Sequence, residues 1–376
     1  MGAWRVRLAM DPRIREHARI VVDHSTGVEA GDNVLVTAPP VAEDLAVAIY
    51  EELGKRGAHP MRMGGGSRAS RAYLRAADPG DFALPEHTLA AVEAADVAIR
   101  VRADRNTNEQ GDVAPETNTA YQKVRQPIMD EMMDTRWVLT QHPAPGNAQD
   151  AEMSTEAYAD FVYDAVNKDW DAQRAHQAQL VEILEAGSTV RIQSGEETDI
   201  RMDIDGMLVQ NDDAEHNLPG GEVFTAPVPD SVEGTVLFDM PLMAQGREIT
   251  DVSLEFEGGE VVDHAAEKNA DVLSAVLETD EGARRLGELG IGMNRSIDQF
   301  TYNMLFDEKM GDTVHLALGR AYEDTVGEGR ERNDSAIHMD MIVDMSEHSA
   351  IEVDGELVQR NGTFVFEDGF EAGPKR

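Results

Sequence analysis

The sequence predicts an α/β protein in two parts: an N-terminal doubly wound, mostly parallel sheet domain over residues 1–185, and a C-terminal α+β domain over residues 186–376. Three observations predict it. In the first half, short apolar runs alternate with segments of helical spacing, the rhythm of β-α-β crossovers. A Pro/Gly loop, His142-Pro-Ala-Pro-Gly-Asn-Ala, then closes that rhythm ahead of a long helical stretch. From Ser188 onward, alternation with a period of two takes over, with Asp354-Gly and Asn361-Gly reading as hairpin turns.

The elements follow in order. Ile14 to Val22 has helical spacing, and Asn33-Val-Leu-Val-Thr-Ala is a short apolar strand ended by Pro39-Pro40. Val41 to Lys55 is an amphipathic helix, and Pro60-Met-Arg-Met is a strand running into Gly64-Gly-Gly. That glycine run has neither dinucleotide-binding spacing nor a Lys-Ser/Thr pair, so it reads as a turn. A helix around Arg71 to Ala77, a strand at Ala95-Asp-Val-Ala-Ile-Arg-Val, a helix around Ala120 to Met133 and a strand at Arg136-Trp-Val-Leu-Thr extend the sheet. Ser154 caps a helical stretch that runs through Asp169 to Glu185, and Thr189-Val-Arg-Ile-Gln and Asp199-Ile-Arg-Met-Asp-Ile open the second part as strands.

Composition excludes several classes. Acidic residues number 72 against 33 basic, a formal charge of −39, and only six of the basic residues are lysine. A phosphate backbone needs a cationic footprint, which this surface lacks, so nucleic-acid wrapping is excluded as a default. The acidity is dispersed, with no acidic tail, which predicts a surface suited to a salt-loaded cytoplasm, where screening shortens charge repulsion. There is no cysteine, so disulfides, thiolate metal sites and cysteine nucleophiles drop out together. Met1-Gly-Ala-Trp-Arg-Val-Arg lacks a secretory apolar stretch and no apolar run approaches the roughly 18 residues of a bilayer span, so a cytoplasmic location is expected.

Any metal site must then be built from His, Asp and Glu. Most histidines (His17, His24, His59, His87, His176 and His264) stand alone and read as surface or core residues. His338-Met339-Asp340 differs, because residues i and i+2 of a strand share a face. Imidazole and carboxylate then converge while Ile337, Met339 and Met341 face a core. His315 stands in a strand-like stretch near a glycine, Glu288 lies in a glycine-crowded segment, and Glu222 follows a rigid Pro-Gly-Gly approach that allows close backbone contact.

Four ordered segments carry a resemblance: Asn217-Leu-Pro-Gly-Gly-Glu-Val-Phe-Thr-Ala-Pro, Leu286-Gly-Glu-Leu-Gly-Ile-Gly-Met-Asn, Asp307-Glu-Lys-Met-Gly-Asp-Thr-Val-His-Leu-Ala-Leu-Gly-Arg-Ala-Tyr, and Asn333-Asp-Ser-Ala-Ile-His-Met-Asp. Together they resemble the thermophilic-type metallo-aminopeptidases, the aminopeptidase T, AmpS and PepS group. The resemblance is strongest over about residues 210–345; Gly31-Asp-Asn-Val-Leu-Val-Thr-Ala-Pro and Gly57-Ala-His extend it more weakly into the first half. It implies that Glu222, Glu288, His315, His338 and Asp340 bind two divalent metal ions (Zn, Co or Mn) in a C-terminal catalytic domain. It further implies that Tyr322 is catalytic, a donor to the tetrahedral oxyanion, and that Glu288 bridges the metals or handles protons. The implied reaction is release of N-terminal residues from short peptides by a metal-activated water, in a homodimer. Two positions depart from the family's pattern: Gly220 stands where Thr commonly precedes the Gly-Glu pair, and Asp344 where glycine is frequent.

Two rival readings remain. His315, His338 and Asp340 would also suit a mononuclear Fe(II) ring-cleaving dioxygenase of the dihydroxypyridine dioxygenase type, but such a site has no need of Glu222 and Glu288. A binding or assembly protein that kept the fold and lost turnover would not need the six-residue set at all.

Overall fold

The computed structural model describes residues 10–244 and 246–372, so the charged start of the chain, Met1 to Arg7, lies outside the described residues. The chain divides into two compact units. The first comprises residues up to 168 together with 214–219, and the second 169–213 with 220 onward. The helix Trp170–Ala186 thus belongs to the second unit.

The first unit is the doubly wound part. Its strands β1 (Asn33–Thr37), β2 (His59–Met63), β3 (Val97–Arg102) and β4 (Arg136–Gln141) form a sheet in the order β2-β1-β3-β4, completed by the short strand Asn217–Leu218 beside β4. Every pairing in it is parallel. The central strands are apolar because parallel sheets are covered on both faces, and Val34, Leu35, Val36, Val97, Ala98 and Ile99 are all buried. The intervening helices carry their own start and stop signals. Asp11 caps Pro12–Ile20 by accepting from Arg13 N, with Pro12 in the first turn, where its missing N–H costs nothing. Gly57, at φ +77°, ends Glu43–Arg56 in the left-handed conformation. One correction concerns the Pro/Gly loop after β4: Pro145–Asp150 is a short helix with Pro145 in its first turn. A second concerns the helical stretch after Ser154, which is two helices, Thr155–Val166 and Trp170–Ala186.

The second unit is antiparallel. Eight strands form a sheet in the order 260–265, 252–257, 233–238, 198–203, 189–194, 349–353, 356–360, 363–364. The two hairpin turns fall where expected, with Asp354-Gly355 and Asn361-Gly362 all at positive φ. A second sheet has the order β9-β8-β7-β6-β5, where β5 is Gln210–Asp212, β6 Glu222–Thr225, β7 Leu286–Gly292, β8 Thr313–Gly319 and β9 His338–Asp344. Leu289 and Ile291 of β7, Val314, Leu316 and Leu318 of β8, and Met341 and Val343 of β9 join one core with Ile192, Ile200, Val236, Phe238 and Leu254 of the larger sheet. The period of two then turns Glu222, Glu288, His315, His338 and Asp340 to the opposite face.

Candidate metal centre

Strand register brings the five residues together. Glu222 is opposite Gly292, Gly290 is opposite His315, Ala317 is opposite both Glu288 and Asp340, and Gly319 is opposite His338. Small residues therefore stand across from every large polar one. The clearest case is Gly290, where a Cβ would overlap the ring of His315. A bulge between Leu286 and Glu288 sets Glu288 onto the polar face.

The loop before β6 is pinned on several sides. Gly221, at φ +113°, lies so close to Asn294 that a side chain there would collide with it. Asn294 Nδ2 donates to Gly220 O at 3.0 Å, Met293 N to Gly221 O at 2.7 Å, and Gln177 Nε2 to Glu222 O at 3.1 Å. The glycine at 220, where the family commonly has Thr, thus uses its carbonyl in this anchoring.

The ligand-type atoms fall into two groups that share Glu288: Glu222, Glu288 and His315, and Glu288, His338 and Asp340, the atoms of each within 4.8 Å of one another. His315 Nε2 lies 3.1 Å from Glu288 Oε1 and 3.3 Å from Glu222 Oε2. His338 Nε2 lies 3.4 Å from Asp340 Oδ1. His338 Nδ1 is 2.8 Å from the carbonyl oxygen of Arg320, which can only accept, so Nδ1 carries a proton and Nε2 is the ring nitrogen turned to the cluster. Tyr322 stands at the rim, 44% exposed, its ring 4.7 Å from that of His338.

Burial and charge set the protonation of the group. Burial pushes Glu222 up to about 8 against the opposing charges of Lys309 and His315, and it raises Glu288 as well. Burial would depress His315, but Glu288 and Glu222 outweigh it and hold the imidazole at about 10. Asp340 likewise overcomes the burial of His338 and raises it to about 9, while His338 keeps Asp340 below the usual carboxylate range despite burial. Partial burial of the hydroxyl and the negative field of Glu288 and Asp340 push the Tyr322 phenol well up, so it stays protonated.

This donor set fits divalent cations. Glu222 Oε2, His315 Nδ1 and Asp340 Oδ1 are buried with no hydrogen-bond partner, an expensive arrangement that bound ions would relieve at the two oxygens. Oxygen and imidazole donors without sulfur suit Zn, Co or Mn. Sequence reasoning missed the residue next to them. Lys309 is fully buried, 3.0 Å from Glu222 Oε1, and ringed by further acids that raise it well above the ordinary lysine value against the pull of burial. It lies within the third of the four ordered segments, where no spacing signal marks it.

Known proteins resemble this chain in sequence and fold. Over 172 residues the chain is 37% identical to Aminopeptidase 2 of Geobacillus stearothermophilus, a stretch covering 40% of each chain. Over 162 residues it is 38% identical to Aminopeptidase T of Thermus aquaticus, covering 40% of this chain and 38% of that one. The matched stretch therefore spans well under half the length of these relatives. The structure of wild-type AmpT from Thermus thermophilus superposes with a TM-score of 0.84 at 26% identity, over 95% of this chain and 100% of that one. That of 2,5-dihydroxypyridine dioxygenase from Pseudomonas putida KT2440 gives 0.60 at 15% identity, over 94% and 97%, a likeness of fold alone. The family described as thermophilic metalloprotease (M29) matches residues 10–370, a span that takes in both units and all five clustered side chains, and the chain belongs to that family.

Proposed function

We propose that the protein is a metal-dependent aminopeptidase that removes N-terminal residues from short peptides, with Glu222, Glu288, His315, His338 and Asp340 holding two divalent ions, Zn, Co or Mn. One observation carries the reading: Glu288 belongs to both ligand groups, the arrangement a pair of ions sharing a carboxylate requires. Such a pair, when bound, supplies Lewis-acid polarisation of the peptide carbonyl and a water acidic enough to attack near neutral pH. The chain's own residues do the rest. Glu288 serves either as the carboxylate the ions would share or as the one that takes the proton of the attacking water and returns it to the leaving amine. Tyr322 donates to the oxygen on which negative charge develops. A free, neutral α-amine of the substrate, held at the second ion, would set the register and so fix cleavage one residue in. A homodimer in the cytoplasm completes the proposal; no helix among the described residues is long and apolar enough to cross a membrane.

The oxygenase reading has less support. It draws its ligands from His315, His338 and Asp340, yet His315 falls in one group and the other two in the second. Elemental analysis of protein purified in salt, paired with hydrolysis of aminoacyl-p-nitroanilides after each metal is added back, separates the two. Two ions per chain with chelator-sensitive release of the N-terminal residue is the expected result. One iron per chain with oxygen-dependent ring cleavage and no peptide hydrolysis would overturn it.

A further inference from the structure

Lys309 lies at 0% exposure with three carboxylates around its ammonium. Nζ is 3.0 Å from Glu222 Oε1 and 3.7 Å from Asp212 Oδ2, and it also contacts Glu308 Oε1. Its backbone is fixed as well, for its carbonyl accepts from Asn294 N at 3.0 Å, the same asparagine whose side chain holds Gly220. Lysine is almost never fully buried unless paired, and here it is paired with a residue of the metal cluster.

The two oxygens of Glu222 are thereby given different tasks. Oε1 accepts from Lys309, whereas Oε2 accepts no hydrogen bond and faces His315 Nε2 at 3.3 Å. Three acidic oxygens around one point are the environment of a hard cation, and an ammonium occupies that point. We propose that Lys309 is an internal, fixed cation that positions Glu222 so that Oε2 alone faces the metal pair; the inference rests on the dinuclear reading above. Without the ammonium, Oε1 loses the donor that fixes it, and Glu222 is free to swing away from His315 and Glu288. Lys309 touches no reacting atom in this account and acts only through Glu222.

The test is a Co²⁺ titration of metal-stripped full-length protein, followed by visible absorption and by elemental analysis. Wild type is expected to take two equivalents. Lys309→Met is expected to keep one at wild-type affinity and to bind the other about 10–100-fold more weakly, the usual loss when a residue orienting a metal ligand is removed. Lys309→Gln, of similar length, gives the same comparison if Lys309→Met does not fold. Glu308→Gln keeps the Lys309–Glu222 contact and is expected to bind both equivalents as wild type does. Wild-type affinity at both equivalents in the Lys309 variants, with two equivalents in wild type, overturns this inference alone. A loss in Glu308→Gln equal to that in Lys309→Met overturns it too, because charge balance and not the hold on Glu222 would then be responsible. Wild type that takes up no metal overturns both this inference and the proposed function.

Discussion

Gly290 and His315 face one another across β7 and β8, and the imidazole lies in the space that a Cβ at position 290 would fill. Both lie buried within the sheet, so a methyl group at position 290 has to displace the ring. Gly290→Ala is therefore expected to turn His315 away from Glu222 and Glu288 and to weaken metal binding by roughly 10–100-fold, with the fold retained. Calorimetric Mn²⁺ titration checks it; unchanged affinity would show that the ring can move without cost.

Tyr322 is expected to matter for turnover and not for metal. Its ring packs beside His338, and partial burial with the nearby carboxylates keeps its phenol protonated, which equips it for the proposed donor role. Tyr322→Phe should lower kcat by about 10²–10³ with metal content unchanged, the usual effect of losing one oxyanion donor. Loss of metal in this variant would refute the assignment.

Part of the cluster was legible from spacing alone. His338-Met339-Asp340 declares itself because a period of two puts imidazole and carboxylate on one face and Met339 with Met341 on the other, and Met341 is indeed buried in the core. The other three acquire meaning only through ordered motifs, since what joins Glu222, Glu288 and His315 is strand register between segments about 30 to 90 residues apart in sequence. Lys309 escaped for a related reason: its acidic partners Asp212 and Glu222 come from strands far upstream, and nothing local distinguishes it from a surface lysine. The helix Pro145–Asp150 was hidden by its own start signal, because a proline in the first turn of a short helix is indistinguishable from a proline in a loop.

The first unit carries a pH-sensitive element of its own. His17 is fully buried, with Nε2 2.7 Å from Thr140 Oγ1, and burial, aided by His142, depresses it to about 3; burial depresses His142 to about 4 against the opposing charge of Asp44. In the unfolded chain both titrate near 6.5. Above that value both are neutral in either state and neither opposes folding. As pH falls from about 6.5 towards 4, the unfolded chain binds protons that the folded one refuses, and stability is lost at up to about 1.4 kcal/mol per pH unit for each histidine. His17→Gln should reduce the slope of unfolding free energy by about that amount between pH 6 and 4. Denaturant melts across this range decide it; parallel wild-type and variant slopes would mean that the imidazole is protonated inside the fold.

Salt is expected to stabilise the protein, although it weakens the surface ion pairs. Pairs such as Arg191–Asp199 at 2.6 Å and Arg247–Asp271 at 2.8 Å are exposed, and each such pair contributes about 0–1 kcal/mol that salt screens away. Against that stands the arithmetic of the chain. With 72 acidic and 33 basic residues, pairing every cation would still leave 72 − 33 = 39 carboxylates without a partner. Their mutual repulsion acts over the Debye length, about 10 Å at 0.1 M salt and about 3 Å at 1 M, so concentrated KCl removes most of it. The repulsive sum involves many more charge pairs than the attractive contacts and is the larger quantity to be screened. Tm should therefore rise between 0.1 and 3 M KCl, by about 1 °C for each kcal/mol gained if the 376 residues unfold together. A thermal scan at fixed pH measures it, and a Tm that is flat or falling with KCl would mean that the exposed ion pairs outweigh the excess charge.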